Sequence, residues 1–206
     1  MSNLRRSGDA SMHCLAFQAF LEDDPRFMEF LLAVNDNILM GDIKSDPNAQ
    51  LSWMMPKTQE YYKFKGKFYI ASAPIQVTRF PPPNVTDHAS SASQYWEDER
   101  QRQWKALDPA VRATFTWPSR GEVPKMDPKA FACQRLEFPA DTTASSDQLL
   151  HGIAMDNFCL LVFKIIQVEH FDHVTFPPQR KVITPASQQV NINQLNRLPT
   201  CIDLYV

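Results

Sequence analysis

Polar and apolar positions alternate in short blocks through the first third of this chain. Residues His13 to Leu21 and Glu29 to Asn35 are apolar runs of strand length, separated by the polar break Glu22-Asp23-Asp24-Pro25. Gln50 to Pro56 reads as a third strand. The clearest is Tyr61 to Ser72, where Lys63, Lys65 and Lys67 alternate with Tyr62, Phe64 and Phe68. A period of two means a strand with one buried and one wet face. Gly66 lies inside it and marks a bulge or sharp bend, as barrel strands need.

The pattern then changes. Ile38 to Ser45 reads as a short helix closed by Asp46-Pro47, and residues 79–93, with three consecutive prolines, read as a loop. Gln94 to Leu107 is helical, and Asp108-Pro109 restarts a helix by the cap-then-proline signal. Residues 118–148 are polar and Pro-containing and read as loop-rich. Phe158 to Asp172 is a long apolar strand, followed by shorter strands at Arg180 to Thr184 and Gln189 to Asn196. Many antiparallel strands around a central helical insertion predict an α+β, mainly β, barrel in one domain.

Composition narrows the functions. With 206 residues and 44% hydrophobic content the chain can bury a core without disulfide staples. A net charge of -2 gives no general field for nucleic acid or anionic membrane, so neither is expected as a partner. Only 5 glycines argue against a Gly-looped dinucleotide fold. Cys14, Cys133, Cys159 and Cys201 form no CxxC and fit a reduced, cytoplasmic (or also nuclear) setting. The N-terminal residues have no signal-peptide pattern, and the run from Phe158 to Ile166 is too short to span a bilayer.

Three ordered segments carry a resemblance. The first is Asp46-Pro47-Asn48-Ala49-Gln50-Leu51-Ser52-Trp53 with Pro56 to Lys67. The second is Trp104-Lys105-Ala106-Leu107 with Arg112, Phe115, Trp117, Pro118 and Gly121. The third runs from Asn157-Phe158 to Glu169, with Arg180 downstream. Together, over residues 12–199, they resemble the pyridoxamine 5'-phosphate oxidase-like, FMN-binding split-barrel family. The resemblance implies an antiparallel split β-barrel with a helical insertion. It also implies a homodimer with FMN between the subunits, and Arg, Lys and Ser around the flavin phosphate. The positions it assigns to the cofactor are His13, Cys14, Leu15, Gln18, Asn37, Tyr61, Lys63 and Arg180.

A phosphate with nearly two negative charges needs several fixed cations or N–H donors. The family's two cationic strand positions fall here at His13 and Gln18, and its basic cluster at the next helix falls at Asp36-Asn37-Ile38-Leu39. No Arg or Lys occurs between Arg26 and Lys44. The ring-contacting glutamine of the family falls at Tyr61, and its first strand has no counterpart ahead of His13. This predicts weak or absent FMN binding and a non-catalytic binding role, with a small anionic ligand as an option. The alternative is an active FMN-dependent oxidoreductase of the pyridoxamine 5'-phosphate oxidase type. No residue is assigned a catalytic role.

Other clusters have plainer readings. His170 and His173, with Glu169 and Asp172, lie on opposite strand faces and predict no metal site. Glu97, Asp98, Glu99, Arg100 and Arg102 read as a solvated helix face. Lys63, Lys65 and Lys67 either approach an anionic ligand, the reading slightly favoured, or protect a sheet edge.

Overall fold

The computed structural model describes residues 1–5, 7–85, 91–123, 127–138 and 145–184. The strands are β1 (Ser2–Leu4), β2 (Ala10–Met12), β3 (Phe17–Phe20), β4 (Phe27–Ala33), β5 (Asn48–Met55), β6 (Glu60–Ala71), β7 (Phe158–Asp172) and β8 (Gln179–Ile183). The helices are α1 (Asn37–Ser45), α2 (Ala92–Ala106), α3 (Pro109–Ala113), α4 (Pro128–Ala132) and α5 (Ser145–Asn157). The fold is α+β, with the expected helical insertion between β6 and β7.

All strand pairs are antiparallel, in the order β2-β1-β5-β6-β7-β4-β3. β7 is the spine. β6 pairs along its length, while β4 takes the opposite edge at residues 158–164 and β8 takes that same edge at residues 168–172. The sheet thus splits where β4 leaves β7 and β8 replaces it. Its far strands meet across the interior, where Phe17 of β3 lies 4.8 Å from Trp53 of β5.

Alternation on the strands sorts side chains into two cores. Met28, Phe30 and Leu32 face inward with Leu51, Phe64, Phe68, Leu161 and Phe163. Phe27, on the other face of β4, joins Phe158, Leu160 and Val162 of β7 beneath Trp96, Trp104 and Phe115 of the insertion. The continuous apolar run of β7 is explained by burial on both faces.

Gly66 sits where the register of β6 against β7 shifts. A Cβ there would lie 2.2 Å from the Lys164 carbonyl oxygen and 2.6 Å from the Phe163 ring, so the expected bulge needs the missing side chain.

Several expectations are corrected. Two short strands, β1 and β2, precede His13, joined by a turn with Gly8 at φ 91°. The run from His13 to Leu21 is not one strand: the His13 backbone still pairs with Met1 at the end of the β1–β2 hairpin, and β3 begins only at Phe17. The region between residues 118 and 157 is not all loop: it holds α4 and α5, and Ala154 of α5 is fully buried. The charged face of α2 is only partly solvated: Asp98 and Arg102 are exposed, but Glu99 and Arg100 are buried. Finally, β6 lies between β5 and β7, so its lysines protect no sheet edge. The strand read at Gln189 to Asn196, and Cys201, lie outside the described residues.

Among the described residues no helix is long and apolar enough to cross a membrane.

Candidate functional site

Helix α1 begins after Asp36, whose Oδ1 accepts from the Leu39 backbone N–H at 3.1 Å and so caps the first turn. Leu39, Met40 and Ile43 turn into the inner core. Asp42 is on the same buried side, and an acid there must find donors. It finds them in the β1–β2 hairpin and the residue after it. His13 Nε2 lies 2.8 Å from Asp42 Oδ2, Arg5 Nε lies 3.2 Å from Oδ1, and the Ser11 hydroxyl donates to Oδ2. The Asn3 side-chain amide donates to the Asp42 carbonyl oxygen at 3.1 Å. Asn3, Ser11, His13 and Asp42 are all buried.

Burial alone would push the Asp42 carboxyl up. The hydrogen bonds from Ser11, His13 and Arg5, with the Arg5 charge, outweigh it and hold the carboxyl below its ordinary range. The cluster contains a serine, a histidine and an aspartate but not a nucleophile relay. One ring nitrogen, Nε2, faces both Ser11 at 3.0 Å and Asp42, and the serine proton goes to the carboxylate. A relay would place the two partners on different nitrogens of the ring.

The start of α1 carries a second self-made pair. Arg120, from the segment after the 3-10 turn Thr114–Thr116, reaches Asp36 Oδ2 at 2.8 Å. The sequence placed no cation here, and this one arrives from more than 80 residues away, already neutralised.

The positions assigned to a cofactor fall into separate places. His13 is bound to Asp42, and Leu15 packs on the inner core. Cys14 is exposed, and Gln18 donates weakly to its neighbour, the Ala16 carbonyl oxygen, at 3.5 Å. Asn37 is exposed in the first turn of α1. Tyr61, Lys63 and Arg180 share the outer face of the β6-β7-β8 ribbon, where Tyr61 is level with Phe171 and Arg180. Lys63 and Glu169 lie opposite one another in the next row, and Arg180 Nε donates to Glu169 Oε1 at 2.7 Å. β1 and β5 stand between the His13 cluster and this face.

Asp36 and Asp42 decide whether a flavin phosphate fits. A dianion placed against His13 and the start of α1 would meet two carboxylates, and the cations nearby are already paired with them. The residues present do not fit that group, and no chemistry is derived through it. Asp42 had a readable signal, an acid on the buried face of an amphipathic helix. Arg120 had none, because only folding brings it to α1.

The histidines near the end of β7 have different partners. His170 Nε2 is 3.0 Å from Glu60 Oε1 and stacks on Tyr62, while His173 packs against Tyr61 and Phe171. Burial, with the Glu60 charge, pushes the Tyr62 hydroxyl up to about 12.

No family model matches the chain, and no curated protein is similar to it in sequence. Solved structures are. A pyridoxamine 5'-phosphate oxidase-related, FMN binding protein from Nostoc punctiforme PCC 73102 superposes with a TM-score of 0.67 at 21% identity, covering 92% of this chain and 81% of that one. PhzG from Burkholderia lata 383, in complex with tetrahydrophenazine-1-carboxylic acid, superposes with a TM-score of 0.53 at 10% identity, covering 89% and 80%. The chain therefore has the split-barrel fold seen in pyridoxamine 5'-phosphate oxidase-related, FMN-binding proteins.

Proposed function

We propose that the chain is a pyridoxamine 5'-phosphate oxidase-like split-barrel protein that acts as a binding or scaffold protein and holds FMN weakly or not at all. The observation that carries this reading is the engagement of His13 by Asp42, with Asp36 and Arg120 paired at the start of the same helix. Each hydrogen bond to a charged group contributes about 1.5–3 kcal/mol, so several lost phosphate contacts weaken binding by orders of magnitude.

The row Lys63, Lys65 and Lys67 supports a small anionic ligand on the outer face of β6, since none of the three forms an ion pair among the described residues. A homodimer is part of the proposal. Its support is β8, whose five residues are all exposed, Val182 and Ile183 among them. A protein of the reduced cell interior fits the buried free thiol of Cys159.

The test is a titration of the purified protein with FMN, read by quenching of flavin fluorescence and by visible absorbance. A colourless protein without quenching at high micromolar FMN is the expected result. Tight, stoichiometric binding would overturn the proposal in favour of an FMN-dependent oxidoreductase. Sedimentation velocity tests the dimer, and a monomer at all concentrations removes it.

A further inference from the structure

Between the barrel and its helical insertion lies a polar contact that the cofactor question does not involve. Glu29 sits on β4 with its side chain on the insertion side, level with Val162 of β7, and it has no exposed surface. Above it, the Gln103 side-chain amide nitrogen of α2 donates to Glu29 Oε2 at 2.7 Å and to Glu99 Oε1 at 2.9 Å. One nitrogen that serves two carboxyl groups holds them within a few ångströms of each other. Two buried carboxylates that close cannot both be ionised without a large repulsion.

The neighbours decide which one keeps a proton. Arg102 grips Glu99 with two hydrogen bonds, at 2.7 and 2.6 Å. The Arg102 charge and the Gln103 hydrogen bond also favour the Glu29 anion, but the Arg102 hydrogen bonds go to Glu99 and burial outweighs both. The second Glu29 oxygen, Oε1, is buried and has no hydrogen-bond partner among the described residues.

The other charged groups around the contact do not reverse this. From the β3–β4 turn, Asp23 accepts from the Tyr95 hydroxyl at 2.8 Å and Glu22 adds negative charge near Arg102. From β7, the Lys164 ammonium lies over the Phe27 ring at 5.4 Å. Burial first, then the Glu99 charge, pushes the Glu29 carboxyl up to about 8.

We propose that Glu29 is held protonated in the folded protein, and that this proton latches α2 to the barrel, so that rising pH releases the insertion. The proton leaves to solvent, and nothing else changes covalently. A second anchor keeps the release local. Arg100, buried on α2, donates to the carbonyl oxygens of Met155 and Phe158 at 2.9 and 3.1 Å and pairs with Glu97.

The sign and window follow from linkage. The docked carboxyl is raised from 4.5 to about 8, so the docked state binds the proton more tightly than the released one. The stabilisation is complete below about pH 4.5 and is lost as pH rises to about 8. Over that range the opening equilibrium of α2 grows by about tenfold per pH unit and then levels off.

Hydrogen exchange of the full chain, corrected for intrinsic rates, reads this directly. In the wild type, protection of α2 amides should fall with pH up to about 8 while the amides of β6 and β7 follow less steeply. The neutral isostere Glu29→Gln should make α2 protection flat over the same range. A wild-type α2 whose protection does not change with pH would overturn the proposal, and so would a slope that persists in Glu29→Gln. Should that variant not fold, the infrared carbonyl band of a buried carboxylic acid in the wild type at neutral pH takes its place. Its presence supports the latch, and its absence removes it.

Discussion

His13 Nε2 lies 2.8 Å from Asp42 Oδ2, and both side chains are buried. The histidine stands where the resemblance calls for a cation, and the aspartate is one and a half turns into the helix that follows β4. The pair closes the N-terminal hairpin onto α1. Its role in the molecule is therefore structural first, and it sets how the region responds to acid and to mutation.

Asp42→Asn should destabilise the protein by about 1.5–3 kcal/mol, the usual range for hydrogen bonds to a charged group. Arg5 is half exposed and adds little to that figure. Because the folded carboxyl is held below its ordinary value of 3.8, its contribution is present above about pH 4 and is lost as pH falls through the lowered value. Urea midpoints of both proteins across the acid range check this. The difference between them should shrink as the solution is acidified.

Gly66→Ala should be among the most damaging single changes to the barrel. The new methyl would meet the Lys164 carbonyl oxygen at 2.2 Å, and backbone cannot move aside as a flexible side chain can. A loss of about 3 kcal/mol or more, or failure to fold, is expected. Chemical denaturation measures it, and a near-neutral result would mean that the strands are further apart here.

Cys159 should resist thiol reagents in the folded protein. It is fully buried, and burial pushes its thiol up to about 12, so almost no thiolate exists at neutral pH. Cys14 and Cys133 are exposed and should label first. Maleimide labelling followed by peptide mapping should find Cys159 modified only after unfolding.

Gln18→Arg combined with Asp36→Arg should raise FMN affinity if the barrel retains the geometry of an anion site. The double change adds two cations and removes the carboxylate that neutralises Arg120. About tenfold per new charge-assisted bond is expected. Asp36 also caps α1, so a stability loss of about 1 kcal/mol accompanies the gain. Calorimetric titration checks the affinity, and no gain would mean that the phosphate does not sit at these residues.

The strands were legible where one face was wet. Lys63, Lys65 and Lys67 alternating with apolar residues located β6 to within one residue at each end. Gly66 announced its bulge because a glycine inside such a strand needs a local reason. Asp108-Pro109 announced α3 because both residues act on the first turn. The run from His13 to Leu21 joins two pairings, since an apolar stretch does not show where the hairpin with Met1 ends and β3 begins. Helix α5 was missed because its signal is weak. Leu149, Leu150 and Ile153 are exposed, and the buried position Ala154 is small.

By itself the sequence determined the strands with a wet face and the helices with clear caps, and that one face of each must be covered. Those are local matters, set by side-chain period, caps and turn residues. Only the tertiary structure decided that Glu99 and Arg100 of α2 are buried while Asp98 and Arg102 stay exposed, and that β6 is an interior strand. It alone brought Arg120 to Asp36 and Asp42 to His13. Charges separated by tens of residues have no local signature, and their state depends on the groups that burial forces beside them.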